Sequence, residues 1–167
     1  QMYNVGMVPA NHLTLLRGSY DPDPYPEIDT HEFSFAVRVT DANSNQQLIS
    51  EAEVYNYPLQ VFSGKNQNGN LSTTGQFIQL ESDNMVISSI KLAEDSMEQQ
   101  QKVIIRFYET EGKSNDASLN FLQDVKNAYF VNINEERLAS NKSTGVNGKT
   151  VTFETDPYTV ATIGVEV

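Results

Sequence analysis

The stretch from Leu13 to Val39, LTLLRGSYDPDPYPEIDTHEFSFAVRV, combines three structural signals in one run of sequence. Its beginning is apolar and predicts a short strand. Prolines at positions 22, 24 and 26 interrupt its middle; because each fixes φ and removes a backbone donor, this part must be a loop. Its end alternates apolar and polar residues with the period of two that a half-buried strand requires. The stretch predicts a strand, a stiff acidic loop and a second strand.

Other apolar runs of strand length recur every 8–15 residues or so along the chain. KVIIRFYET at 102–110 carries bulky residues on both faces, which predicts a central strand. The runs at 77–80 and 85–92 flank turn residues and predict a hairpin, whereas 48–57 fits either an extended segment or a short helix. Because no long segment has the 3.6-residue period, we predict an all-β fold, an antiparallel β-sandwich.

The polar segment at 94–101, with three consecutive glutamines, is the best candidate for a domain boundary. It separates an N-terminal sheet region from a C-terminal group of about five strands. The second group is small for an independent domain. We therefore expect domains at 1–95 and 96–167 that share an interface.

Composition excludes several classes of function. The chain has 11 Lys and Arg against 22 Asp and Glu, a net charge of −11, which would repel nucleic acid and anionic membranes. It has no cysteine, and hence no disulfide or cysteine zinc site. Since we find neither a membrane-spanning run nor a signal peptide, we expect a cytoplasmic protein. The sequence starts at Gln1 and not at Met, so we expect a segment of a longer polypeptide.

Histidines and carboxylates are the first candidates for chemistry. His31 and Glu32 could form a metal pair, but neighbours in a strand point to opposite faces, so we favour a structural His31 at the strand entrance. The acidic loop (Asp21, Asp23, Glu27 and Asp29) could bind calcium or supply the two carboxylates of a glycosidase. Neither an EF-hand glycine nor a fixed carboxylate separation supports this, so we favour a solvated loop.

Two arginines stand beside apolar strand residues, where a guanidinium is usually paired or faces a ligand. For Arg106 we favour an ion pair with a neighbouring acidic residue. For Arg17, at the exit from a predicted strand, a structural role and a ligand-facing role remain equally open.

Four segments together resemble the C-terminal half of the glycoside hydrolase family 38 α-mannosidases. They are LTLLRGSYDPDPYPEIDTHEFSFAV (13–37), VISSIKLAED (86–95), IIRFYETEGK (104–113) and PYTVATIGVEV (157–167). The third is similar to the family strand with an Arg-x-Tyr-Glu-x-x-Gly core. The chain departs from the pattern after His31, where AVRVTDA replaces a second histidine that follows a proline.

The resemblance implies a retaining, zinc-dependent α-mannosidase whose catalytic residues and zinc ligands lie in an N-terminal catalytic domain outside this sequence. It implies that residues 1–95 are the C-terminal part of a β-supersandwich and that 96–167 are a small immunoglobulin-like sandwich packed against it. No catalytic residue, metal ligand or cofactor is then expected in this chain. The expected partners are the catalytic domain and the α-mannoside substrate.

Under the resemblance, Arg17 and His31 become candidates for bracing the domain interface or approaching the sugar. An exposed, incompletely covered surface is then expected beside them. The alternative is a free-standing carbohydrate-binding or adhesive β-sandwich, in which tyrosines such as Tyr55 and Tyr57 could stack on sugar rings.

Overall fold

The computed structural model describes residues 13–18, 21–22, 28–65, 68–69, 72–96, 101–139, 142 and 144–167. The chain divides into two compact units, Gln1–Val39 and Thr40–Val167. The described residues of the first unit contain neither helix nor strand. The second unit contains the elements α1 (Asn45–Asn56), β1 (Ile78–Glu81), β2 (Met85–Leu92), β3 (Lys102–Glu109), β4 (Asn115–Phe121), β5 (Asn127–Phe130), β6 (Thr144–Asn147), β7 (Thr150–Thr155) and β8 (Val160–Glu166).

The strands form two four-stranded antiparallel sheets. The first sheet has the order β1-β4-β7-β6 and the second the order β2-β3-β8-β5. The predicted all-β antiparallel sandwich is confirmed. β3 lies between β2 and β8, so its predicted central position is also confirmed.

The core lies between the two sheets. Ile105 and Phe107 of β3 are fully buried there, together with Leu119, Val151 and Ile163 from other strands. The side chains that alternate with Ile105 and Phe107 lie on the outer face of the second sheet, because successive strand residues point to opposite faces. Ile104 is buried on that outer face in a small separate cluster, which explains why both faces of β3 carry bulk.

Helix α1 is attached to the sandwich through its first turn. Ser44 caps it by accepting a hydrogen bond from the Gln47 N–H at 3.2 Å. Gln46 donates from Nε2 to the carbonyl oxygens of Ser82 and Met85, both at 2.8 Å. No residue of the helix is buried. Of the two structures expected for 48–57, the helix is correct.

The predicted hairpin between 77–80 and 85–92 is wrong. β1 pairs with β4 in the first sheet, whereas β2 pairs with β3 in the second. Residues 82–84 therefore connect the two sheets. The short spacing between the two apolar runs is typical of a hairpin. In the structure, however, β1 and β2 lie in opposite sheets, so that Leu80 and Met85 pack from two sides into the common core.

The strand predicted at 33–39 is also absent: residues 31–43 form no strand, and the apolar side chains at 33, 35, 37 and 39 are exposed. The runs at 13–17 and 59–62 are likewise outside any strand. A strand needs hydrogen bonds to a neighbouring strand, and none of the described strands pairs with these segments.

Strands on both sides of the predicted boundary at residues 95 and 96 belong to the same sandwich. β2 ends before this position, β3 begins after it, and the two pair from Met85↔Glu109 to Leu92↔Val103. β6 is a further strand of the first sheet and pairs with β7. The role of residues 1–95 as part of a supersandwich stays a prediction.

Candidate functional site

A buried carboxylate, Glu109, lies at the end of β3 and holds three chain segments together. Its side chain is 4% exposed. Oε1 accepts hydrogen bonds at 2.8 Å from Asn84 Nδ2 and from the Glu111 N–H. Oε2 accepts hydrogen bonds at 2.8 Å from the N–H groups of Gly112 and Tyr158. One carboxylate thus joins the β1–β2 connection, the turn after β3 and the turn before β8.

The surroundings of Glu109 have opposing effects on its pKa. Burial favours the neutral acid and raises the pKa, but hydrogen bonds from backbone N–H groups stabilise the carboxylate and lower it to about 2. The donors are the backbone N–H groups of Tyr158, Glu111, Lys113 and Gly112. A carboxylate with its oxygens occupied in this way is a structural anion and a poor proton donor at neutral pH.

Gly112 explains the glycine of the Arg-x-Tyr-Glu-x-x-Gly segment. Its φ is +71°, in the left-handed region that favours glycine. A Cβ at this position would lie 2.5 Å from the ring of Tyr158. Glycine is needed here both for the turn and for the close approach of that ring.

An open cleft of about 410 Å³ is lined by residues of both sheets and of the connections between their strands. Its apolar wall is formed by Phe130, Val131, Ile133, Leu138, Val160 and Ala161. Arg106 lies within this wall, opposite Thr162 in the pairing of β3 with β8. The ion pair predicted for Arg106 is not formed with any described residue: its Nε donates to Thr162 Oγ1 at 3.2 Å instead.

A second cleft, of about 390 Å³, is centred on Tyr129 and is charged. Tyr129 donates its hydroxyl to Glu166 Oε1 at 3.0 Å, and the ring lies 4.9 Å from the Arg137 guanidinium and 5.6 Å from Lys102 Nζ. Burial and the hydrogen bond to Glu166 both raise the pKa of Tyr129, so it stays protonated at neutral pH. The cation–π contact between Arg137 and Tyr129 holds the loop after β5 against the sheet.

Ion pairs complete this charged cleft. Lys91 Nζ lies 2.6 Å from Glu135 Oε1 and 2.7 Å from Glu94 Oε1, and Glu135 also accepts from the Glu94 N–H at 2.9 Å. The hydrogen bond from Lys91 lowers the pKa of Glu135. Because these side chains are paired with one another, we interpret the second cleft as a structural network that fixes the loops at 93–96 and 132–137.

Arg17 and His31, the residues singled out from the sequence, both lie in the first compact unit and both have exposed side chains. The ring of His31 stacks on Phe33 with centroids 6.1 Å apart. Leu15 and Leu16 beside Arg17, and Phe33 beside His31, are exposed. Their roles at an interface or near a sugar stay predictions.

The acidic loop is described only in part. Asp23 and Glu27 lie outside the described residues, whereas Asp29 Oδ1 accepts a hydrogen bond from the Thr30 N–H at 2.7 Å. Within the described ranges, no three His, Cys, Asp or Glu side chains are grouped to hold a metal ion. None of the helices in the described part is long and apolar enough to cross a membrane.

A comparison with protein families finds one model, described as the glycosyl hydrolases family 38 C-terminal beta sandwich domain, that matches residues 84–163. The matched segment is similar to that family's sandwich domain. No curated protein and no solved structure matches the chain significantly. The resemblance noted in the sequence is confirmed over the matched segment.

The segment matched by the family 38 model contains Glu109 and all of its hydrogen-bond donors, which together are called the Glu109 anchor. The match begins at Asn84, which donates to Glu109, and ends at Ile163 in the core of β8. β1 precedes the match but supplies an edge strand of the first sheet. The structural unit is therefore larger than the matched segment.

Sequence reasoning did not identify Glu109 or the Arg106 cleft as sites. A carboxylate at the end of an apolar strand, three residues before a turn glycine, is the available signal for Glu109, because such a charge must be paired or hydrogen-bonded. Two of its donors, Asn84 and Tyr158, lie 25 residues upstream and 49 residues downstream, and no local pattern reveals them.

Proposed function

We propose that the chain is a non-catalytic C-terminal β-sandwich module of an α-mannosidase, which packs against the catalytic domain and stabilises it. The family 38 sandwich match over residues 84–163 supports the glycoside hydrolase context. The role as a support of an α-mannosidase catalytic domain rests on exposed apolar side chains of the chain.

The observation that carries the proposal is a set of apolar side chains that the chain leaves uncovered. In the second unit, Leu59, Val61 and Phe62 are 98%, 93% and 85% exposed. In the first unit, Val37 and Val39 are 89% and 95% exposed. Within each unit, exposed apolar side chains that lie close together in the chain usually mark a surface that contacts another protein part.

These segments also have the pattern of strands without partners. Residues 33–39 alternate apolar and polar side chains, and residues 59–62 are apolar at three of four positions. Neither segment belongs to a sheet of the described chain. A neighbouring domain that supplies strands would satisfy their backbone groups and cover their side chains. We infer that the catalytic part of the polypeptide provides this cover.

The test is reconstitution from two pieces. The catalytic domain of the polypeptide that carries this sequence is produced separately and mixed with the 167-residue chain. We expect the chain alone to hydrolyse no aryl α-mannoside and to bind no zinc, and to raise the thermal stability and activity of the catalytic domain. Calorimetry and aryl-mannoside turnover measure the two effects.

A matched pair of variants locates the contact. Combined Leu59→Ser, Val61→Ser and Phe62→Ser should weaken association at least tenfold without changing the unfolding of the chain, since these side chains are exposed within it. Phe77→Ser, at another exposed apolar position, is the control. Hydrolysis by the purified chain alone, or lack of association, would overturn the proposal. Binding of mannosides without association would instead support the free-standing carbohydrate-binding alternative.

Arg17 is expected to matter for activity in the intact enzyme. If its exposed guanidinium contacts the catalytic domain or the sugar, Arg17→Ala should lower kcat/KM at least fivefold, because charge-assisted hydrogen bonds contribute about 1.5–3 kcal/mol. Arg106→Ala, at equal thermal stability, should have the smaller effect on mannoside hydrolysis. Equal kcat/KM values for the two variants would assign Arg17 a structural role.

A further inference from the structure

The cleft around Arg106 has the features of a small-ligand site and is independent of the proposed packing against a catalytic domain. Its volume of about 410 Å³ lies in the range of small-molecule sites. Ile133 and Val160 of its apolar wall are largely exposed, so the described residues do not fill the cleft. An apolar group would cover this wall.

The guanidinium of Arg106 is the group that selects the ligand. Its Nε is fixed by the hydrogen bond to Thr162 Oγ1, and Thr162 is itself buried. Among the described residues, Nη1 and Nη2 have neither a hydrogen-bond nor an ion-pair partner. This is unusual in a chain with twice as many acidic as basic residues. A held guanidinium with free donors is arranged to bind a carboxylate through two parallel N–H···O bonds.

The acidic residues of the cleft do not occupy Arg106. Asp156 pairs with Lys142 at 2.7 Å, which neutralises it. Glu154 also lines the cleft, but its side chain is exposed to solvent, where water and salt screen its charge. Arg106 supplies a single positive charge to the ligand, whereas the chain as a whole carries a net charge of −11 and repels anions. A ligand with one negative charge is therefore favoured over a multiply charged phosphate.

We propose that this cleft binds a small apolar monocarboxylate, with Arg106 holding the carboxylate and the wall around Ile133 and Val160 covering the apolar group. Thr162 positions the guanidinium. The site uses no residue of the Glu109 anchor and none of the exposed segments at 33–39 and 59–62. Its occupation and the domain contact can therefore be tested separately.

The experiment is an NMR titration of the 167-residue chain with phenylacetate. We expect a dissociation constant in roughly the millimolar range, as for other ligands of this size, with shifts at the backbone amides of Arg106, Ile133, Val160 and Thr162. Phenylacetamide, which lacks the charge, and acetate, which lacks the ring, should each bind at least fivefold more weakly. Equal binding of phenylacetate and phenylacetamide would overturn the proposal, as would shifts confined to other parts of the chain.

Two substitutions of Arg106 make the test specific. Arg106→Gln should weaken phenylacetate binding at least tenfold. Arg106→Lys keeps the positive charge but not the planar guanidinium, and should weaken phenylacetate binding at least threefold. This second variant tests the site even if the glutamine substitution disturbs the strand. The matched control is Arg137→Gln, since Arg137 lies over Tyr129 in the charged cleft. Unchanged affinity in both Arg106 variants, or an equal loss in Arg137→Gln, would refute the assignment.

Discussion

Phe107→Ala is expected to lower the free energy of unfolding of the sandwich by about 3–5 kcal/mol. Phe107 is completely buried between the sheets and stacks on Phe153 with ring centroids 4.8 Å apart. Its removal costs the transfer free energy of the ring, leaves a cavity that strands of both sheets cannot close, and removes the aromatic contact. Urea denaturation followed by circular dichroism measures the change.

Phe77→Ala is the matched control for this loss. Phe77 directly precedes β1 and is 73% exposed, so the same chemical change should cost less than about 0.5 kcal/mol. Similar losses in the two variants would mean that the core does not lie between the sheets around β3.

Glu109→Gln is expected to destabilise the sandwich by about 2–4 kcal/mol at neutral pH. Glutamine has nearly the same shape, but its NH₂ group would face backbone N–H donors that now bind a carboxylate. At least one buried donor would lose its acceptor. Urea denaturation of the two proteins at pH 6 measures the difference.

The effect of Glu109 should depend on pH in a defined direction. Its pKa is lowered to about 2 in the folded chain, from an ordinary value near 4.5. The ionised side chain therefore contributes stability that is fully present above about pH 4.5 and is lost as the pH falls towards 2. The difference in unfolding free energy between the natural chain and Glu109→Gln should shrink over that range.

Glu154→Gln provides the control for both measurements. Glu154 is an exposed strand residue, so its replacement should change stability little. A constant difference between Glu109→Gln and the natural chain across this range would show that Glu109 acts through packing and not as an anion.

The all-β class could be predicted because side-chain alternation in β3 and β7 is a local property. Ile105 and Phe107, or Val151 and Phe153, are two residues apart and face the same core. The resemblance to family 38 likewise rested on local segments, and the match over residues 84–163 confirmed it. The same local reasoning failed at 33–39, because alternation predicts an amphipathic strand only when a partner strand is present.

Strand pairing could not be predicted, since it depends on contacts between distant positions. The connection at 82–84 has the length of a hairpin turn but carries the chain from one sheet to the other. Two polar side chains help to fix this connection. Gln46 donates to the carbonyl oxygens of Ser82 and Met85, which lie 36 and 39 residues further along the chain. Asn84 donates to Glu109, which lies 25 residues further along. Many pairings share one hydrophobic pattern, and their differences lie in such polar contacts.

The same division applies to the sites. In the sequence, Arg106 and Glu109 are charged residues in an apolar strand. For Arg106, the sequence predicted an ion pair. The tertiary structure placed Thr162 beside Arg106 and surrounded Glu109 with backbone donors. The functions of Arg17 and His31 stay predictions.

The sequence by itself determined the all-β class, the central position of β3 and the family 38 character of the C-terminal segment, because periodicity and short motifs are carried by neighbouring residues. Only the tertiary structure decided which strands pair, that Glu109 is an anion held by three separate segments, and that Arg106 keeps free donors in an apolar cleft. Each of these depends on which groups remain unpaired once distant strands have come together, and that is a property of the folded chain.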